Sequence, residues 1–197
     1  MRNILILLYL TALTSCEDKK PKSLDEAFES CLKKVEAHSK NPTQIEKIWA
    51  SCFNGVKIPE FNALTIEGKE INRNYFKNKI TILNFWFSTC QPCVAEIPGF
   101  NLIVTKYGHK NINYLAIGRD NKDVINEFLI KYPWNFEHIP DGNELIENIF
   151  KLKTGYPTTY ILNDKSEIIY TTFGGRIDTL AIKEIQNKLI PIIDKSL

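Results

Sequence analysis

The chain predicts an α/β fold: a mixed sheet flanked by helices, with a small helical hairpin in front of it. Three observations predict it. Apolar runs at residues 80–87 and 112–118 have the length and composition of fully buried strands. Each is followed by a segment with helical spacing, 92 to about 106 and 122–131. Near the C-terminus, residues 158–162 and 167–172 flank an Asn163-Asp164-Lys165-Ser166 turn, which marks an antiparallel pair. Strand–helix–strand demands parallel neighbours and the late hairpin antiparallel ones, so the sheet is mixed.

The N-terminus reads as a targeting segment. Met1-Arg2 supplies a minimal charge, and residues 4–10 form an apolar stretch far shorter than the roughly 20 residues a membrane-spanning helix needs. Leu13-Thr14-Ser15-Cys16 resembles a bacterial lipobox, which implies cleavage after residue 15 and lipid on Cys16. Acyl chains contribute about 0.8 kcal/mol per buried CH₂, so two or three of them hold a protein on a bilayer. The alternative is an ordinary signal peptide with an incidental cysteine. Residues 16–22 are a polar tether.

A helical hairpin is expected at 23–55. Ser23 and Glu26 fit a capping box ahead of the stripe Leu24, Phe28, Cys31, Leu32 and Val35. Asn41-Pro42 restarts the helix, and Ile45, Ile48, Trp49, Cys52 and Phe53 form the second stripe before Asn54-Gly55 stops it. Cys31 lies ten residues before Asn41 and Cys52 ten after Pro42, so an antiparallel hairpin brings them level. A Cys31–Cys52 disulfide is therefore expected; two buried free thiols are the alternative.

The main domain is expected at 57–197. It begins with a short hairpin around Glu67-Gly68. Pro98 falls inside the helix after the 80–87 strand and should kink it. Residues 133–141 read as irregular or a short strand, 144–150 as a short helix, and 178 to about 189 as the closing helix.

With 44% hydrophobic and 24% charged residues the chain is globular, not disordered. A formal charge of +2 excludes a nucleic-acid binder built on a basic surface. His38, His109 and His138 lack partners at ligand spacing, so each is expected at the surface and no metal site is expected. Trp49 and Trp134 read as core or docking residues.

The chemistry concentrates at Cys90-Gln91-Pro92-Cys93, where the 80–87 strand gives way to a helix. A thiol at a helix start meets unpaired N–H groups and the positive end of the macrodipole, both of which favour thiolate. Cys93 lies one turn on and can close a disulfide with Cys90. Cys90 is the expected attacking sulfur and the more exposed one; Cys93 resolves the mixed disulfide. Glu96, on the same face, would raise thiol pKa values or take a proton from Cys93, or else is a surface acid. Phe85 and Phe87 are expected to pack and Trp86 to stand partly exposed beside the site.

Four features give residues 57–197 a resemblance: Asn84-Phe85-Trp86, Cys90-Gln91-Pro92-Cys93, Glu96 with Pro98, and Gly155-Tyr156-Pro157-Thr158. The segment resembles a thioredoxin-like fold of the TlpA/ResA type, membrane-tethered thiol–disulfide oxidoreductases of bacterial envelopes. The resemblance implies a cis Pro157 facing the cysteines and a substrate strand pairing with the backbone of Tyr156, beside Trp86. It also implies protein disulfides as substrates, a membrane thiol as electron donor and no cofactor. A role for Glu96 in proton handling is implied too, since Asn84 stands where thioredoxins proper keep a buried aspartate. Cytochrome c maturation is one task such proteins serve. Three rivals differ in kind. A thiol peroxidase needs Pro-x-x-x-Thr-x-x-Cys, absent before Cys90; a Sco-type copper handler needs cysteines four apart; a thioredoxin-fold binding module would keep the cysteines as structure only.

Overall fold

The computed structural model describes residues 23–38 and 40–197. The expected leader, the tether and the lipidation site Cys16 lie outside these residues. Among the described residues no helix is long and apolar enough to cross a membrane.

Two capped helices open the structure. α1 (Leu24–Ala37) starts where the Glu26 N–H donates to Ser23 Oγ at 3.2 Å. α2 (Pro42–Cys52) starts with proline in its first turn, where the Gln44 N–H donates to Asn41 Oδ1 at 3.1 Å. Cys31 and Cys52 are joined across the pair, their Cα atoms 5.6 Å apart.

Next come two two-residue strands, β1 (Ala63–Leu64) and β2 (Glu70–Ile71), paired antiparallel around Gly68. The main sheet follows. β3 (Ile80–Trp86) leads into α3 (Gln91–Tyr107), β4 (Ile112–Gly118) and α4 (Lys122–Lys131). β5 (Glu137–Ile139), a π-helical turn at Leu145–Ile149, β6 (Thr158–Leu162), β7 (Ile168–Phe173) and α5 (Leu180–Ser196) complete the chain. The strand order is β5-β4-β3-β6-β7. β3 pairs parallel with β4, from Ile80 opposite Ile112 to Trp86 opposite Gly118, and antiparallel with β6. β3 and β4 are buried on both sides, which is why they read as continuous apolar runs.

Alternation along β3 divides the core in two. Ile80, Ile82 and Trp86 pack with α3 and α5 through Ile97, Phe100, Ile103, Ile185 and Leu189. Leu83 and Phe85 face the other way, towards Leu24, Ala27, Cys31 and Phe53 of the hairpin region. Trp49 of α2 sits edge-on against Phe173 of β7, ring centroids 4.9 Å apart. The hairpin and the redox helix thus cover opposite faces of one sheet.

Three expectations are corrected. α5 runs on through Pro191 to Ser196 instead of ending near residue 189. The buried stripe Ala181, Ile185, Leu189, Ile193 continues past the proline, and packing of that stripe outweighs one missing ladder bond. His138 is 1% exposed, not at the surface, because it lies on β5 opposite Ala116 of β4 and packs against Trp86 and Trp134. Burial pushes its imidazole down to about 4. His38 and His109 are exposed, as expected. Trp86 is fully buried instead of partly exposed, because it lies on the strand face that packs against α3.

Candidate functional site

The site lies where β3 ends and α3 begins. The chain turns through Phe87-Ser88-Thr89-Cys90, closed by the Cys90 N–H donating to the Phe87 carbonyl at 3.1 Å. Cys90 is the N-cap of α3, and the Cys93 N–H donates to Cys90 Sγ at 3.3 Å. Pro92 stands between them without a donor, so the Cys93 amide is the one aimed at the sulfur. Cys90 and Cys93 are disulfide-bonded, with Cα atoms 5.3 Å apart. Their exposures are 5% and 2%: Cys90 is the more open sulfur, although both are buried.

An acceptor outside the turn holds it. The Ser88 N–H donates to Asp120 Oδ2 at 2.6 Å, from just beyond β4. The neighbouring Arg119 N–H donates to the Trp86 carbonyl at 3.1 Å, so the end of β4 is laced to the start of the redox turn. Sequence reasoning missed Asp120; no local spacing connects it with Ser88, 32 residues earlier.

Opposite the turn, the Tyr156–Pro157 bond is cis and Pro157 is buried. The Tyr156 ring meets Phe87 edge-on at 5.2 Å, and the Arg119 guanidinium lies 5.9 Å from its centroid. The Gly174 N–H donates to the Pro157 carbonyl at 2.8 Å, tying the loop after β7 to the proline. Phe87, not Trp86, is therefore the aromatic between the two loops. Trp86 has no exposed surface: it points with Ile82 into the α3 face, against Phe128 and Trp134, and cannot touch a substrate. Strand alternation from Ile82 carries the signal for that orientation.

Glu96 is buried, 6% exposed, rather than a surface acid. Gly175 packs over it: a Cβ there would sit 2.7 Å from Glu96 Oε1 and 3.4 Å from Pro92 Cβ, so a larger residue would push the carboxyl aside. Burial raises Glu96 to about 8, with Lys188 opposing and Glu184 adding to the rise. It is mostly protonated at neutral pH. On β3, Asn84 is also buried and its amide N–H donates to Thr159 Oγ1 at 2.9 Å.

Residues 54–171 match the AhpC/TSA family. The chain belongs to that family. Within it, the likeness is to ResA-type proteins. The chain is 30% identical over 139 residues to thioredoxin-like protein YneN of Bacillus subtilis, covering 68% of this chain and 78% of that one. It is 29% identical over 139 residues to thiol-disulfide oxidoreductase ResA of Bacillus thuringiensis, covering 70% and 79%. Among solved structures, a thiol:disulfide interchange protein of the thioredoxin family from Chlorobium tepidum superposes with TM-score 0.58 at 19% identity, over 71% of this chain and 94% of that one. A thioredoxin domain of a thiol-disulfide oxidoreductase from Bacteroides vulgatus gives 0.55 at 15%, over 67% and 96%. These establish the thioredoxin-like fold. The AhpC/TSA match starts at residue 54, so the disulfide-bonded hairpin precedes it. Leu83 and Phe87 occupy the places where the peroxidase pattern puts proline and threonine.

Proposed function

We propose that this chain is a thiol–disulfide oxidoreductase that reduces protein disulfides in the cell envelope, held there by lipid on Cys16. The observation that carries the reading is the Cys93 N–H aimed at Cys90 Sγ at the start of α3. That donor and the helix terminus stabilise negative charge on Cys90 and not on Cys93.

In the reduced form the Cys90 thiolate attacks one sulfur of a substrate disulfide. A Cys90–substrate disulfide forms and the other substrate sulfur leaves as thiolate. The Cys93 thiol then gives up its proton and attacks Cys90 Sγ, which releases the second substrate sulfur. The substrate has gained two electrons, and Cys90–Cys93 is oxidised. A membrane thiol donor returns the pair to dithiol. Burial holds Glu96 mostly protonated at neutral pH, so only its ionised fraction can take the Cys93 proton, and that role grows as pH rises towards 8. The backbone of Tyr156, fixed before cis Pro157, pairs with an extended substrate strand.

Reduction of insulin disulfides by the purified protein, with Cys90→Ser as control, tests the proposal. Turnover lost in the variant supports it. No turnover by the unaltered protein under reducing conditions assigns the cysteines to structure and the chain to a binding role.

A further inference from the structure

Beside the cysteines, along the start of α3, lies a groove of about 520 Å³. It is lined by Gln91, Val94 and Ala95 from the first two turns of α3, by Ser88 and Thr89 of the redox turn, and by Tyr132 and Ile177. It is an open trough whose volume falls within the range of ligand sites.

The lining of the groove carries no charged side chain, and neither does the exposed face of α3 ahead of Lys106, which is paired with Asp194. From Gln91 to Thr105 the only ionisable side chain of α3 besides Cys93 is Glu96, which is buried. Solvent-facing stripes of helices ordinarily carry charge, and this chain is 24% charged. Here the exposed positions are Gln91, Pro98, Leu102 and Thr105, with Leu102 50% exposed. Depletion of charge around an apolar centre marks contact surfaces.

Ile177 is presented, not merely uncovered. Arg176 and Asp178 form a two-pronged ion pair across it, Nε to Oδ1 at 2.8 Å and Nη2 to Oδ2 at 2.5 Å. The Leu180 N–H also donates to Asp178 Oδ1 at 3.1 Å. The pair sets the two flanking charges against each other beside an isoleucine that is 70% exposed in the groove lining. Tyr132, also in the lining, lies tilted against Phe128, ring centroids 5.0 Å apart.

We infer that this groove is a second docking site that selects polypeptide substrates carrying an uncharged aliphatic segment next to their disulfide. The inference rests on the redox reading above for the word substrate. Its occupant follows from continuity with the redox turn: Ser88, Thr89 and Gln91, which neighbour Cys90 in the chain, belong to the lining, so a polypeptide whose disulfide reaches Cys90 lies beside the groove. An aspartate or lysine carried into this trough would lose water and find at its edges only charges already engaged, Arg176 with Asp178 and Lys131 over the Tyr132 ring, whereas leucine would bury area against Val94, Ala95 and Ile177. One well-placed aliphatic group discriminates by about tenfold or more.

Two cystine peptides test it, identical except for leucine or aspartate at the positions flanking the cysteines. Their serine-for-cysteine analogues supply a binding measurement free of redox chemistry, and bis(2-hydroxyethyl) disulfide supplies a substrate too small for the groove. The unaltered full chain should bind the leucine analogue at least tenfold more tightly than the aspartate one and show the same preference in kcat/KM. Ile177→Asp should abolish the preference. Ile130→Asp, on an 84% exposed α4 position outside the groove, should keep it. Equal affinity for the two analogues, or a preference that survives Ile177→Asp, overturns the inference. So does a dimer in sedimentation that Ile177→Asp dissociates, since the face would then be occupied by a second copy. Preferential binding of the leucine analogue without turnover of any disulfide would sustain the groove and sink the redox reading instead.

Discussion

Replacing Glu96 by glutamine should remove a pH-dependent cost that the fold now carries. The carboxyl is 6% exposed and titrates near 8 in the folded chain, against an ordinary 4.5. Below pH 4.5 folded and unfolded chains both hold the proton, and no penalty arises. Between 4.5 and about 8 the folded chain keeps a proton that the unfolded chain releases, so stability falls as pH rises through that window. At about 1.4 kcal/mol per pH unit the loss is about 2 kcal/mol by pH 6 and levels off near 5 kcal/mol above pH 8. Glutamine keeps the shape and never ionises. Urea unfolding at pH 4.5, 6, 7 and 9 should show the Glu96→Gln chain gaining on the unaltered one by those amounts, relative to pH 4.5. Parallel stability curves over this range would refute the reasoning, because they would mean that Glu96 ionises alike in both states.

Three other substitutions probe the scaffold. Asp120→Ala leaves the Ser88 N–H without its acceptor and should cost about 1–3 kcal/mol in urea unfolding, while Asp120→Asn, which retains an oxygen, should recover part of the loss. Replacing Cys31 and Cys52 together by serine should lower stability by about 3 kcal/mol, given a bridge spanning 21 positions, with insulin reduction unchanged because the hairpin covers the sheet face opposite α3. Gly99→Ala would set a methyl 2.4 Å from Ile185 Cγ2 and 2.8 Å from the Ile182 carbonyl; prising α3 from α5 should cost about 1–3 kcal/mol by thermal or urea unfolding.

Much of this architecture is legible in one dimension. Residues 112–118 and 122–131 coincide with β4 and α4, because a doubly buried strand and an amphipathic helix each leave an unambiguous period. The cysteine pair announces itself by spacing alone. Pro191 misleads as a stop signal, since what carries α5 past it is the contact of Ile193 with a sheet that the local window does not contain. Trp86 and His138 look like surface candidates by residue type; only their strand faces send them inward. Asp120, Arg119, Gly175 and Ile177 reach the site from loops after other strands, and no spacing rule links them to Cys90.

The central claim is that Cys90 and Cys93 interconvert between dithiol and disulfide, with Cys90 the attacking sulfur. Equilibration of the purified chain in glutathione buffers of graded ratio, followed by acid quench, alkylation and peptide mass measurement, tests it most directly. The account predicts a single two-electron transition confined to the peptide bearing Cys90 and Cys93, and, in the Cys93→Ser chain, glutathione attached to Cys90. A Cys90–Cys93 pair that stays in one state across the whole series, or an adduct found only on Cys31 or Cys52, would contradict it.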